Sequence, residues 1–351
     1  MITSSSSDTF VASAVRQNRV TLRKTVISCA LLAGALLLAI VLMSLIGSEQ
    51  LPARASLCAL ASLGTTPCSL TRDQFDILFQ IRLPRILLAA AVGGSLATAG
   101  AAYQALLRNP LAEPYLLGIS NGAAVGTMIA LVFFGAIEWT RPVLAFTGAL
   151  LATFAVYRLA SGRAGATPER LILAGVIVTT FLSSVIVFVT TLMDATRIRS
   201  FTFWLLGDLS GTSKALLPIA ITITVGGALA LTLHARSLNL LMLGERDAFD
   251  LGVEVGRVRM VVFLVASLLV GSSVAASGSV GYVGLVVPHL ARLSLGSDNR
   301  ISIPAAALGG ALFVIVADAV ARTIIAPREL PVGAITALIG APLFIYLLKR
   351  G

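Results

Sequence analysis

The stretch "VGGSLATAGAAYQALLRNPLAEPYLLGISN", residues 92–121, decides the fold. It opens as an apolar run of small residues, breaks at Arg108, Asn109 and Pro110, carries Glu113 and Pro114, and turns apolar again from Tyr115. Proline lacks the N–H a helix needs and clashes with the preceding turn, so it marks a stop. The pattern predicts one membrane helix, a polar turn, and a second helix running back. Gly118, Gly122 and Gly126 then form two GxxxG steps, a spacing that lets neighbouring membrane helices approach closely.

Working outward, the same alternation fills the chain. Its 351 residues are 57% hydrophobic and 12% charged, against about 25% charged in a soluble domain. Several apolar runs exceed the roughly 18 residues that indicate a membrane crossing. Spans are read at 26–47, 83–107, 115–137, 142–160, 171–193, 214–234, 258–277, 280–295, 301–326 and 331–348, the two at 258–295 divided by "SGSVGYVG". The chain is thus expected to be an all-α polytopic membrane protein with ten transmembrane helices in one domain, 26–351. Residues 1–25, Ser-rich and then basic, read as a disordered cytoplasmic tail. The apolar run after Lys24 is longer than the 7–15 residues of a secretory signal core, which favours an uncleaved anchor.

A repeat is visible at an offset of 178. Residues 92–121 lie over "VGSSVAASGSVGYVGLVVPHLARLSLGSDN" (270–299), with Gly93/Gly271, Gly100/Gly278, Pro110/Pro288 and Asn121/Asn299 among the coincidences. Span two falls on span seven, an odd step, so spans 2–5 and 7–10 would form an inverted repeat, an architecture of transporters.

The net charge of +10 does not point to nucleic acid, because no soluble basic block exists. With the N-terminus inside, sixteen of the 26 Lys and Arg residues fall on the inner side and ten outside, a moderate positive-inside bias. Both termini are then cytoplasmic, and 48–81 is an outer segment. It holds Cys58 and Cys68, for which a disulfide and two free thiols both stay open. Cys29 falls within span one.

Catalytic apparatus is not evident. A phosphate-binding loop needs GxxxxGK followed by Ser or Thr, and the only Lys followed by either is Lys24, after Arg23. His234 and His289 have no ligand cluster around them, so no metal or cofactor is expected. Ion-coupled carriers keep buried acids for function; here Glu138, Asp194 and Asp208 lie at span ends. Only Asp318 is deep, with Arg322 four residues on as a helical partner. An ion- or proton-coupled secondary transporter is therefore the weaker alternative, and a receptor or scaffold a further one.

The inner loop "LNLLMLGERDAFDLGVEVGRVR" (238–259) balances Glu245, Asp247, Asp250 and Glu254 against Arg246, Arg257 and Arg259. Leu243, Ala248, Leu251 and Val255 recur at near-helical spacing, punctuated by Gly244, Gly252 and Gly256. A helix lying on lipid would be Lys- and Arg-rich; this balanced one suits a protein groove. Outside, Arg82, Arg85 and Arg322 run against the positive-inside trend, and Arg is suited to carboxylates.

At these residues the chain resembles the FecCD family, permeases of ABC importers for iron chelates and vitamin B12. The matching stretches are "QIRLPRILLAAAVGGSLATAGAAYQALLRNPLAEPYLLGISNGAAVG", "RLILAGV", "LNLLMLGERDAFDLGV", "GSVGYVGLVVPHLARL" and "RELPVGAITALIGAPLFIYLL", in order from about residue 80 to the end. The resemblance implies the type II ABC importer permease fold, a homodimer in a bacterial inner membrane, two ATPase subunits docked below and a periplasmic binding protein above. It implies that Arg82, Arg85 and Arg322 meet acidic side chains of that binding protein, and that Gly244, Glu245, Ala248, Leu251 and Gly252 contact the ATPase. Asn109 and Leu111 would lie at the cytoplasmic gate with Thr167, Pro168 and Glu169, although "GRAGATPER" departs from the family pattern. The cargo, iron siderophore, haem or cobalamin, is not identified; Trp204, Arg197 and Arg199 are a weak suggestion of a carboxylate-bearing chelate.

Overall fold

Helix α1 (Leu22–Leu45) leads through α2 (Ala53–Ala61) to α3 (Arg72–Asp76), which continues by a π turn (Ile77–Arg82) into α4 (Leu83–Leu106). Thr71 opens α3 with a capping box: the Gln74 N–H donates to Thr71 Oγ1 (3.3 Å) and the Thr71 N–H to Gln74 Oε1 (3.2 Å). Next come α5 (Ile119–Ile129, extended by a π turn to Phe134), α6 (Thr140–Ala160), α7 (Pro168–Thr190) and α8 (Ala195–Leu205). A two-residue hairpin, β1 (Ser161–Gly162) and β2 (Gly165–Ala166), joins α6 to α7. Then follow α9 (Leu216–Leu233), the short α10 (Ala235–Leu243) and α11 (Glu245–Asp250), α12 (Val255–Ser277), α13 (Val283–Leu295), α14 (Asn299–Thr323) and α15 (Val332–Arg350). This computed structural model describes residues 22–350 apart from 48, 67, 135–138, 163–164 and 212–214. Most of the N-terminal tail, and Glu138, lie outside those residues.

Helix α4 is the mast of the bundle. It is apolar all round, and a helix of that kind belongs inside; nearly every residue is buried, against α14, α12, α13 and α9. Small residues make the contacts close. A Cβ on Gly93 would overlap the Gly310 carbonyl on α14, and one on Gly100 would overlap Gly284 on α13. Of the two GxxxG steps only the second behaves the same way toward α6, Gly122 facing the Gly148 carbonyl and Gly126 the Leu144 carbonyl; Gly118, at φ 75°, precedes α5 and faces Val178 and Thr179 of α7 instead. Without a hydrophobic drive between helices in lipid, such close packing supplies much of the cohesion.

Seven of the described helices are long and apolar enough to cross a membrane, and three shorter apolar ones accompany them: α5 with its π turn, α13, and Val332–Tyr346 of α15. The expected span at 280–295 is thus a helix of 13 residues, about 20 Å long against a hydrocarbon core of about 30 Å. The backbone before it is irregular, with Gly278 at φ 70° and Tyr282 at φ 66°. Part of the opening loop serves that backbone. The Glu113 carboxylate accepts the Tyr282 N–H (3.0 Å), and the Tyr115 hydroxyl bonds both the N–H and the carbonyl of Val280 (2.9 and 2.8 Å). Buried non-helical backbone needs such partners. Glu113 therefore points inward, which corrects the reading of 108–114 as a simple polar turn.

The 178-residue offset also needs correction. It superposes α4 on α12, but Gly100 is mid-helix whereas Gly278 ends one. Beyond that point the offset sets the loop 107–118 against α13, and Pro110 of a loop against Pro288 inside a helix. The positive φ of Gly278 stops α12 early, so shared Gly and Pro composition carries those later coincidences. Helix α8, just beyond span five (171–193), is not among the elements read from the sequence. Its Asp194 cap accepts the Arg197 N–H (2.9 Å), and Trp204 is buried beside Phe201. Trp204 is a packing residue, not a surface for a chelate.

Candidate functional site

The two ends of α4 carry the two groups of residues singled out in the sequence. Arg85 sits at its start and Arg108 just past its end, about 36 Å apart along a 24-residue helix.

At the Arg85 end the three expected arginines converge, and all are buried, 5–7% exposed. Asp318 lies between two of them, fully buried. Its Oδ1 accepts from Arg85 Nε (3.0 Å) and pairs with Arg85 Nη2 (2.9 Å), while Oδ2 faces Arg322 Nε at 3.0 Å. Glu329, 40% exposed, takes Arg85 Nη1 at 2.7 Å. Arg82 turns away to the end of α1, donating to the carbonyls of Ser44 (3.2 Å), Leu45 (3.4 Å) and Glu49. Carbonyls at a helix C-terminus have no partner of their own and favour a cation. The i,i+4 pair of Asp318 and Arg322 was legible in sequence; Arg85 and Glu329 as its partners were not. Cys58 of α2 and Cys68 of the loop between α2 and α3 are joined as a disulfide, their Cα atoms 5.9 Å apart.

At the opposite end, α10 and α11 meet at Gly244, whose φ of 145° few other residues adopt. Asn239 anchors α10: its Nδ2 donates to Asp298 (2.7 Å), and its Oδ1 accepts from the backbone and side chain of Asn299 (2.9 and 2.8 Å). Asp298 in turn caps α14 and binds Arg300. Burial acts to raise the Asp298 pKa, but its hydrogen bonds from Arg300 and Asn239 prevail, and the carboxyl titrates below its ordinary value.

Helix α11 divides the expected contact residues. Ala248 is fully buried against its own chain, so it offers no surface to a partner. Glu245 is half-buried and turned inward, paired with Arg259 (2.5 Å) and more loosely with Arg108 (3.6 Å). Leu251 and Leu243, both read from the sequence as part of an apolar face, are exposed, as is Phe249, which the sequence reading does not single out. Gly252, at φ 85°, closes the turn after α11. An exposed Phe in a stretch dense with acids was the available signal.

The gate candidates lie at this same end. Asn109 forms an Asx turn, its Oδ1 accepting the Leu111 N–H (2.9 Å), and Leu111 is exposed. Thr167 caps α7, Pro168 occupies its first position, and Glu169 its first turn, an arrangement that suits a helix start. Arg259, also unassigned from sequence, donates to the Ala166 carbonyl immediately before them. Arg108, Glu245, Arg259 and Ala166 therefore form one cluster.

A profile of the FecCD transport family matches residues 21–350. The chain belongs to the FecCD transport family. The match takes in both ends of the bundle. The cobalamin import system permease protein BtuC of Halobacterium salinarum is 42% identical over 273 residues, 78% of this FecCD chain and 73% of its own length. The hemin transport system permease protein HmuU of Yersinia pestis is 39% identical over 326 residues, covering 91% and 96%. A solved structure described as an inward-facing conformation of a metal-chelate type ABC transporter aligns with a TM-score of 0.81 at 30% identity, covering 92% of this chain and 99% of that one.

Proposed function

We propose that this FecCD chain is the membrane-spanning permease subunit of an ATP-driven importer for an iron chelate, siderophore or haem, or for cobalamin. It works as a homodimer of ten-span subunits in a bacterial inner membrane, with both termini in the cytoplasm. The observation that carries the reading is the α10–α11 elbow, which presents Leu243, Phe249 and Leu251 to the outside while Glu245 and Ala248 hold to the chain. An exposed apolar face on a charge-balanced segment suits a protein groove, here that of an ATPase subunit. The names of the relatives support the same assignment. The disulfide of 58 and 68 suits an oxidising outer face, where the binding protein would dock. Alternating access follows: nucleotide-driven movement of the ATPases shifts 238–257, and the gate candidates Asn109, Leu111, Thr167, Pro168 and Glu169 open and close the passage.

An ion-coupled carrier is not favoured, because the buried Asp318 is neutralised by two guanidinium groups. The test is uptake into proteoliposomes holding this chain, its ATPase and its binding protein. Uptake should need ATP and vanish when the ATPase loses its phosphate-loop lysine. Flux by this chain alone would overturn the assignment. Offering the binding protein siderophore, haem and cobalamin in turn would name the cargo.

A further inference from the structure

The cluster at the Glu245 end joins three segments that are distant in sequence, and one side chain makes the joins. Arg259 lies in the second turn of α12 and is 6% exposed. Its Nη2 pairs with Glu245 at 2.5 Å, and its Nη1 donates to the Ala166 carbonyl. Glu245 also faces Arg108 Nη2 at 3.6 Å, at the start of the 108–111 loop. Arginine is the residue for this task, because its flat fork presents two nitrogens in fixed directions, one to each neighbour. Burying a guanidinium is expensive unless every partner is in place, so Arg259 resists parting from either one. The hairpin carbonyl and the carboxylate are thereby held to one spacing.

We infer that Arg259 is a positioning residue that transmits displacement of the α11 elbow to the segment 165–169, with Glu245 as its handle and Arg108 as a looser branch to the 108–111 loop. The inference rests on the permease reading for its consequence in transport, but the mechanical link stands apart from it. Movement of Glu245 must either pull Arg259, and with it Ala166, or leave a buried cation with a single partner. The second choice is the costly one. No other described ion pair ties α11 to another element.

The link is tested on the assembled permease in lipid nanodiscs by amide hydrogen exchange. The ion pairs of Glu245 are with Arg108 and Arg259 and not with the described residues 165–169, yet Glu245→Gln should speed exchange at 165–171 at least five-fold, as should Arg259→Met. The double variant should match Arg259→Met alone, because both remove one connection. Arg259→Lys, with one ammonium in place of the fork, should fall between. Faster exchange confined to 245–250 in Glu245→Gln, with 165–171 at the unaltered rate, would overturn the inference. If Arg259→Met does not fold, the half-exposed Glu245→Gln still decides it. With ATPase and binding protein added, Arg259→Met should hydrolyse ATP but import at least ten-fold less. Normal import in Arg259→Met would also refute the link. Failure of the unaltered complex to import on ATP would instead sink the permease reading, leaving exchange to judge the link.

Discussion

The two ends of α4 use arginine in opposite ways. At the Arg85 end, Arg85 and Arg322 close on a fully buried Asp318, and Arg82 closes on the end of α1. The charges are consumed inside the chain, and only Glu329 is substantially exposed among the acids that meet them. At the other end, Arg259 is equally buried, but its partners belong to a half-exposed elbow and a hairpin. The first cluster braces helices that stay together; the second couples surface segments. The same chemistry therefore yields a clamp or a linkage according to what its partners are attached to.

The sharpest way to break that comparison is Asp318→Ala. Removing one partner of a buried ionic cluster leaves uncompensated charge, and a loss of about 3–5 kcal/mol is expected, seen as a large fall in the thermal midpoint of the purified chain. Glu329→Gln, on an exposed pair, should lose no more than about 1 kcal/mol. Equal effects would refute the clamp. It follows that charge reversal at Arg82 or Arg85 would test the fold as much as docking. Glu329→Gln is the better docking probe, because it frees a donor of Arg85 and should leave binding-protein affinity unchanged or raised.

The next test sharpens the other end. Phe249→Ala removes an exposed ring whose burial would contribute about 1.5–3 kcal/mol, so ATPase association should weaken roughly 10- to 100-fold. The thermal midpoint of the permease alone should stay put. An unchanged affinity, measured by titrating the ATPase onto the permease in nanodiscs, would remove Phe249 from the interface.

The smallest effect concerns the anchor of α10. Asp298 titrates below its ordinary value, with Arg300 and Asn239 outweighing its burial. A carboxyl depressed in the folded state adds stability above its unfolded pKa and loses it as pH falls through the folded one. Midpoints taken from neutral pH down through the carboxylate range should show this decline. Asp298→Asn, which can still cap α14, should flatten it slightly.

Much of this was legible from residue order. The span positions followed from run length and proline breaks, as with 83–107 against the helix Leu83–Leu106. The pairing of Asp318 with Arg322 followed from helical spacing. Spacing failed where the partner came from elsewhere. Nothing local to Arg259 points to Ala166, ninety-three positions away, and nothing local to Ala248 distinguishes it from Leu251 as buried or exposed. Glu113 looked like a solvated turn residue because its partner, the backbone of Tyr282, is 169 positions distant.

By itself the sequence determined that this chain lives in a bilayer, where its helices break, which glycines allow close crossings and to which family it belongs. Those properties depend on hydrophobicity and on contacts within a turn or two. Only the tertiary structure decided that Arg85 and Arg322 share Asp318, that α13 is too short to span alone, and that Arg259 ties the elbow to the hairpin. Ionic partners are selected by distance in space, and a buried charge accepts whichever carboxylate or carbonyl the packing of α4, α12 and α14 brings within reach.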